Sequence, residues 1–226
     1  MDLESYLRVF SGLAESRSRI YGLLSQLYVR PPDGEFLREL FSPEFSEILS
    51  NLLAQPTISG ELEEGLKLLK KFIEDWRGCG GGLLKLVSAD RNRLLKPEGR
   101  RGAYESSHLG SAEEVVRFYR EAGAQLPADG REPPDFIGFE LDFMRLLCAE
   151  EAEAWKAGKV EEALRLLERE EAFLSRHVAA WVPSFCEAMF EQAELDLYRG
   201  LAKLTKGFVE QDHLLLKELL RGAGEG

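Results

Sequence analysis

Apolar residues recur along this chain every three to four positions, the spacing of one helix face, and nowhere alternate as a half-buried strand requires. Leu3, Leu7, Phe10, Leu13/Ala14, Ile20/Tyr21, Leu24 and Leu27/Tyr28 trace a first helix, with the charged Arg17 on the same face. Pro31-Pro32-Asp33-Gly34 stops it, since a proline lacks the N–H that would continue the ladder. Glu35 to Leu53 reads as one or two shorter helices interrupted near Ser42-Pro43. Leu62, Leu66, Leu69, Ile73 and Trp76 form the cleanest stripe. It ends in Gly78-Cys79-Gly80-Gly81-Gly82, where each glycine inside a helix would cost about 1 kcal/mol, so a loop or hinge follows. Leu83 to Leu95 reads as a further helix and Lys96 to Gly110 as a long loop. Ser111-Ala112-Glu113-Glu114 is a capping-box pattern opening a helix through Ala122.

A second long loop, Gly123 to Asp135, runs into a helix carrying Ile137, Glu140/Leu141, Met144, Leu147/Cys148 and Trp155. Pro133 and Pro134 stiffen this corner, because each fixes its own φ and biases the preceding residue away from helix. Asp135 stands where an N-cap belongs. Gly158 separates the next helix, Val160 to Val178; Pro183 begins another, and a break near Gly207 leaves a short closing helix. With no fixed-period repeat and no low-complexity tract, the expected fold is all-α: one domain over residues 1–226, a bundle of about ten helices. The loop 96–110 would join a possible N-terminal layer (1–95) to a C-terminal one (111–222).

Charge narrows the partners. A net charge of −11 disfavours nucleic acid and anionic membrane surfaces and favours basic or neutral partners, although solubility alone accounts for most acidic proteins. Three widely spaced cysteines, Cys79, Cys148 and Cys186, suit reduced thiols rather than a disulfide framework. The start, Met1-Asp2-Leu3-Glu4-Ser5, lacks the basic and apolar regions of a secretory signal, and no window approaches the roughly 18 apolar residues of a membrane span. The expected location is cytoplasmic, without stable membrane insertion.

Catalytic chemistry is hard to place. His108, His177 and His213 stand alone, without the clustered spacing a metal needs. Cys148 and Cys186 lie on apolar helix faces; Cys79, flanked by glycines, is the accessible one, a surface thiol in a hinge. The glycine run lacks the Gly-Lys-Ser/Thr ending of a phosphate loop. The expectation is no enzyme, no catalytic residue, no cofactor and no metal. What remains is binding. Tyr104, Glu105 and Ser106 in the first loop, and Glu132, Pro134, Asp135 and Phe136 in the second, are the candidate peptide-binding residues. Capping alone would explain Asp135, unless its second oxygen also faces a cleft. Glu132 has no helical position to explain it, which makes it the better ligand for a basic partner.

At these residues the chain resembles the TorD/DmsD/NarJ family of redox-enzyme maturation chaperones. Glu132-Pro133-Pro134-Asp135-Phe136-Ile137 and Glu140-Leu141-Asp142-Phe143-Met144 are similar to the family's Glu-x-Pro-Asp-His-(Ile/Leu) turn and its Glu-Leu-x-Phe-Met helix. Asp90-Arg91-Asn92-Arg93-Leu94-Leu95, Tyr104-Glu105-Ser106 and Phe173 to Pro183 resemble three more family elements, in order. The family histidine is Phe136 here. The resemblance implies a TorD-like all-α fold and a cytoplasmic role without catalysis. It also implies a partner: the catalytic subunit of a molybdopterin oxidoreductase, bound through its twin-arginine signal peptide or N-terminal region until cofactor insertion. A permanent helical scaffold or regulatory subunit of an oxidoreductase complex is the alternative. The chain itself would be a monomer or a helix-exchanged dimer.

Overall fold

The computed structural model describes residues 2–54, 60–79, 81–96, 102–124 and 132–224. Parts of three expected loops, at 80, 97–101 and 125–131, lie outside them. The described chain is helical: α1 Leu3–Val29, α2 Gly34–Leu40, α3 Pro43–Leu53, α4 Gly60–Trp76, α5 Leu83–Leu95, α6 Ser106–Leu109, α7 Glu113–Glu121, α8 Ile137–Lys156, α9 Val160–Phe173, α10 Ala179–Gln192 and α11 Asp196–Gly224. A π-helical turn, Leu174–Val178, joins α9 to α10. Among the described residues the β-type pairing is one isolated bridge between Tyr104 and Phe136.

Several boundaries follow from local chemistry. Asp33 caps α2 through Phe36 N, and Ser42 caps α3 through Phe45 N, with Pro43 at the first helical position where its missing N–H costs nothing. Gly158 takes φ 69° and turns the chain between α8 and α9. Four local expectations need correction. Pro183 lies inside α10 rather than at its start: the chain stays helical through the π turn, with Ala179 N donating to Leu174 O. Asp135 does not cap α8. The cap residue is Phe136, whose backbone carbonyl accepts from Phe139 N and Glu140 N. At α7 the cap position falls on Ala112, and Ser111 Oγ accepts from Glu113 N at 3.2 Å, one residue earlier in the helix than a capping box would place the bond. Finally, α11 does not break at Gly207. A Cβ there would stand 2.9 Å from Glu61 Cβ and 3.1 Å from Leu62 N, so this glycine lets α4 approach.

The described residues form two compact units, each assembled from separated stretches: 1–29, 104–181 and 209–226 in the first, 30–103 and 182–208 in the second. One division falls in the loop 96–110; the others fall at 29/30, 181/182 and 208/209.

In the second unit α4 and α11 cross at glycines. A Cβ on Gly65 would lie 2.8 Å from Leu204 N and 2.9 Å from Gly200 O. Backbone cannot yield as a side chain can, so the helices would have to part. Gly65→Ala is therefore expected to destabilise by about 1–2 kcal/mol net, overpacking outweighing the roughly 1 kcal/mol of helix propensity gained, and to lower Tm by roughly 2–6 °C in a melting scan. In the same unit Asp90, from one of the family-like segments, is 1% exposed and accepts from Glu194 N (3.1 Å) and Leu195 N (2.9 Å). It fixes the turn that opens α11.

In the first unit α1 packs along α8, with Ser18 Oγ donating to Arg145 O at 3.0 Å. Arg17, buried on the inner face of α1, donates to Asp212 Oδ1 (2.6 Å), Glu151 Oε2 (2.9 Å) and Glu170 Oε2 (2.5 Å). Tyr21 OH donates to Asp212 Oδ2 and Trp155 Nε1 to Glu151 Oε1, both at 2.7 Å. One cation faces three buried acids, so one carboxyl keeps its proton. Burial pushes Glu170 up to about 8, against the pull of Arg17. Arg17 itself stays charged: burial works against it, but the charge and hydrogen bond of Asp212 help to outweigh that cost. Cys148 sits beside this cluster, Sγ 3.6 Å from Glu170 Oε2, and its burial raises the thiol well above its ordinary range. Such a thiol is a core group, as is the buried Cys186; Cys79 is exposed.

Candidate functional site: the proline corner

The corner at 132–136 is assembled by backbone before any side chain is added. Pro133 O accepts from Phe136 N at 3.1 Å, closing a turn that aims the chain into α8. Phe136 is fully buried, its ring 5.6 Å from Tyr104 and 5.7 Å from Phe139. An apolar ring serves here as an anchor, with the Tyr104–Phe136 bridge running beside it.

The first loop is bolted to this corner by Asp135. Its backbone carbonyl accepts from Glu105 N (2.9 Å) and its Oδ2 accepts from Ser106 N (2.8 Å). At 2% exposure its carboxylate is a strut between two loops rather than a helix cap. Tyr104 OH donates to Glu132 Oε2 at 2.7 Å, a second tie across the same two loops. Tyr119 on α7 adds a third, donating to Pro134 O at 3.2 Å.

Beneath the loops lies a buried acid pair. Glu105 Oε1 lies 2.8 Å from His177 Nδ1, and Trp181 Nε1 donates to Glu140 Oε2 at 3.1 Å. Burial raises Glu140 well above the usual carboxylate range, and the charge of Glu105 and a hydrogen bond with it push the same way. Glu140 therefore holds a proton and donates it toward Glu105, which accounts for two buried carboxyl oxygens, Glu140 Oε1 and Glu105 Oε2, that otherwise have no hydrogen-bond partner. Burial likewise keeps Tyr119 protonated, with the charge of Glu105 pushing the same way. Phe118 and Phe173 pack on His177, each with ring centroids 5.0 Å away.

The seven residues singled out from sequence thus meet in space, and they divide by exposure. Tyr104, Ser106, Glu132 and Pro134 reach solvent; Glu105, Asp135 and Phe136 do not. A desolvated carboxylate already held by a partner from its own chain is a poor direct ligand and a good support. His177, read in isolation as a lone histidine, and Trp181 complete the support from the far end of the chain. Their signal was present only in the family-like segment Phe173 to Pro183. Among the described residues no group of three or more His, Cys, Asp or Glu could hold a metal, and no helix is long and apolar enough to cross a membrane.

Three of the family-like segments converge here: the 104–106 loop, the 132–144 corner with its helix, and the 173–183 stretch. The family model described as nitrate reductase delta subunit matches residues 55–187, more than half of the chain. The chain belongs to that family. Among its relatives are proteins named chaperone protein TorD, such as one from Vibrio cholerae, 26% identical over 220 residues covering 92% of this chain and 96% of the relative. Over a shorter stretch of 76 residues it is 43% identical to a selenate reductase assembly chaperone protein from Thauera selenatis, covering 34% of this chain and 38% of the relative. A chlorate reductase assembly chaperone protein from Ideonella dechloratans is 40% identical over a stretch of the same length and the same shares.

Proposed function

We propose that this member of the nitrate reductase delta subunit family is an assembly chaperone. It holds the N-terminal region, or twin-arginine signal peptide, of the catalytic subunit of a molybdopterin oxidoreductase until the cofactor is in place. The chaperone role is supported by the names of its relatives, and the client class by the family resemblance. The observation that carries the site is the convergence of residues 28 to 72 positions apart, Tyr104 on Glu132 and Glu105 on His177, into one braced corner. The corner works by binding. Its outer edge offers Glu132, Pro134, Tyr104 and Ser106, while the buried acids beneath are closed to a substrate and keep that edge in shape. A cationic leader followed by apolar residues complements such an edge, and the acidic chain as a whole attracts it. This work belongs in the cytoplasm, ahead of any export.

Glu132→Gln keeps the size of the side chain and the acceptor for Tyr104 but removes the charge. Binding of an arginine-bearing client peptide is expected to weaken roughly 10-fold, and its salt dependence to flatten, in calorimetric titrations at several ionic strengths. Equal affinities and equal salt slopes would remove Glu132 from the contact.

The description of the family as a delta subunit favours a second reading, a permanent subunit of the assembled oxidoreductase. Titrating the client's N-terminal peptide and then the folded, cofactor-loaded enzyme separates the two. A chaperone prefers the peptide; a subunit prefers the finished enzyme.

A further inference from the structure

A groove of about 910 Å³ runs between α8 and α9, on the first unit. Leu146, Ala149 and Leu166 contribute an apolar floor, with the acids Glu150 and Glu153 on the α8 rim and, on the α9 side, the bases Arg165 and Arg169 beside a Lys159–Glu162 ion pair (3.0 Å). Glu153 pairs with Lys156 (2.7 Å) and Arg165 with Glu161 (4.0 Å). Glu150 and Arg169 are exposed and form no ion pair among the described residues. An apolar channel with one acidic bank and one predominantly basic bank, each holding an unspent charge, fits an occupant with the same pattern reversed.

The chain itself has that pattern. Joined by a turn of three residues, 157–159, and packed on each other, α8 and α9 are antiparallel neighbours. Turning a second copy over about an axis lying along the groove sets each α8 above the partner's α9 at the same level. The acidic bank then meets the basic bank twice, and the two apolar floors meet between them. We infer that this groove is the contact between two copies of the chain, forming a two-fold four-helix arrangement without exchange of helices. Its 14-residue α9 makes the contact about 21 Å long. Such a patch buries on the order of 1,000 Å² in total, at the lower limit of specific interfaces. The net charge of −11 per copy opposes association at long range, so dissociation falls in the micromolar range.

Sedimentation velocity on the full chain from about 1 to 200 μM tests this, since a micromolar dimer crosses from one species to two within that window. Concentration-dependent growth to twice the mass is expected. Glu150→Arg or Arg169→Glu alone sets like charges against each other at two symmetric places and should raise the dissociation constant about tenfold or more. Combining the two reversals should restore it to within about threefold of the unaltered chain, which a merely misfolded variant could not do. Helicity by circular dichroism confirms that each variant is folded. A single species throughout, or a dimer indifferent to both reversals, overturns the assignment. So does an intact dimer whose Glu150→Arg variant loses client peptide instead, which would make the groove a client surface.

Discussion

Replacing Arg17 with methionine is expected to cost about 3–5 kcal/mol of stability, the largest effect of any substitution considered for this chain. The side chain fits the space, but Glu151, Glu170 and Asp212 are left buried with no cation among them. Chemical denaturation of the two proteins side by side measures the loss. A difference below about 1 kcal/mol would mean that water reaches the cluster and shares its charge. The cluster also predicts an unusual pH dependence. In the unfolded chain Glu170 titrates near 4.5, and in the folded protein near 8. Between those values the folded state holds a proton that the unfolded state has released, so this group's contribution to stability falls as pH rises, with a slope of at most about 1.4 kcal/mol per pH unit. Most carboxylates act in the opposite sense. Glu170→Gln keeps the protonated shape without the titration, so its stability should exceed that of the parent increasingly from pH 5 to pH 8.5. Superimposable pH profiles would show that Glu170 is not the group that keeps the proton.

Asp135→Ala is expected to act on stability and client binding together. Its carboxylate is a buried acceptor for Ser106 N, so truncation should cost about 1.5–3 kcal/mol and free the 104–106 loop from the corner. With Tyr104 and Ser106 displaced, affinity for the client peptide should drop about tenfold. Asp135→Asn retains an oxygen for the same bond and should recover most of both losses. Melting curves and peptide titrations on the three proteins distinguish a strut from a ligand. If Asp135→Ala loses the client while melting like the parent, Asp135 contacts the client directly.

Much of this was legible in the chain, for reasons that can be named. Helix α4 could be read from one stripe of leucines because its inner face is continuously apolar, and α3 could be placed because Ser42-Pro43 is both a cap and a start. Arg17 was visible as a charge on an apolar face, and Glu170 fills the gap in the α9 stripe between Leu167 and Leu174. What no periodicity contains is that these two face each other. Pro183 and Gly207 misled because each residue breaks an isolated helix, whereas here a widened turn precedes the proline and the close passage of α4 accounts for the glycine. Asp135 misled for a related reason: next to a helix an aspartate is a cap by local rules, and its actual partner lies 29 residues back.

The sequence by itself determined the helices, the stiff turn at Pro133-Pro134, the acidic balance and the segments that mark the family, because each depends on residues within a few positions of one another. The tertiary structure alone decided which acids are spent and which are available. Burial and long-range partners set that: Asp135, Glu105 and Glu140 are buried and committed to holding the corner together, while Glu132 reaches solvent at its edge and accepts from Tyr104.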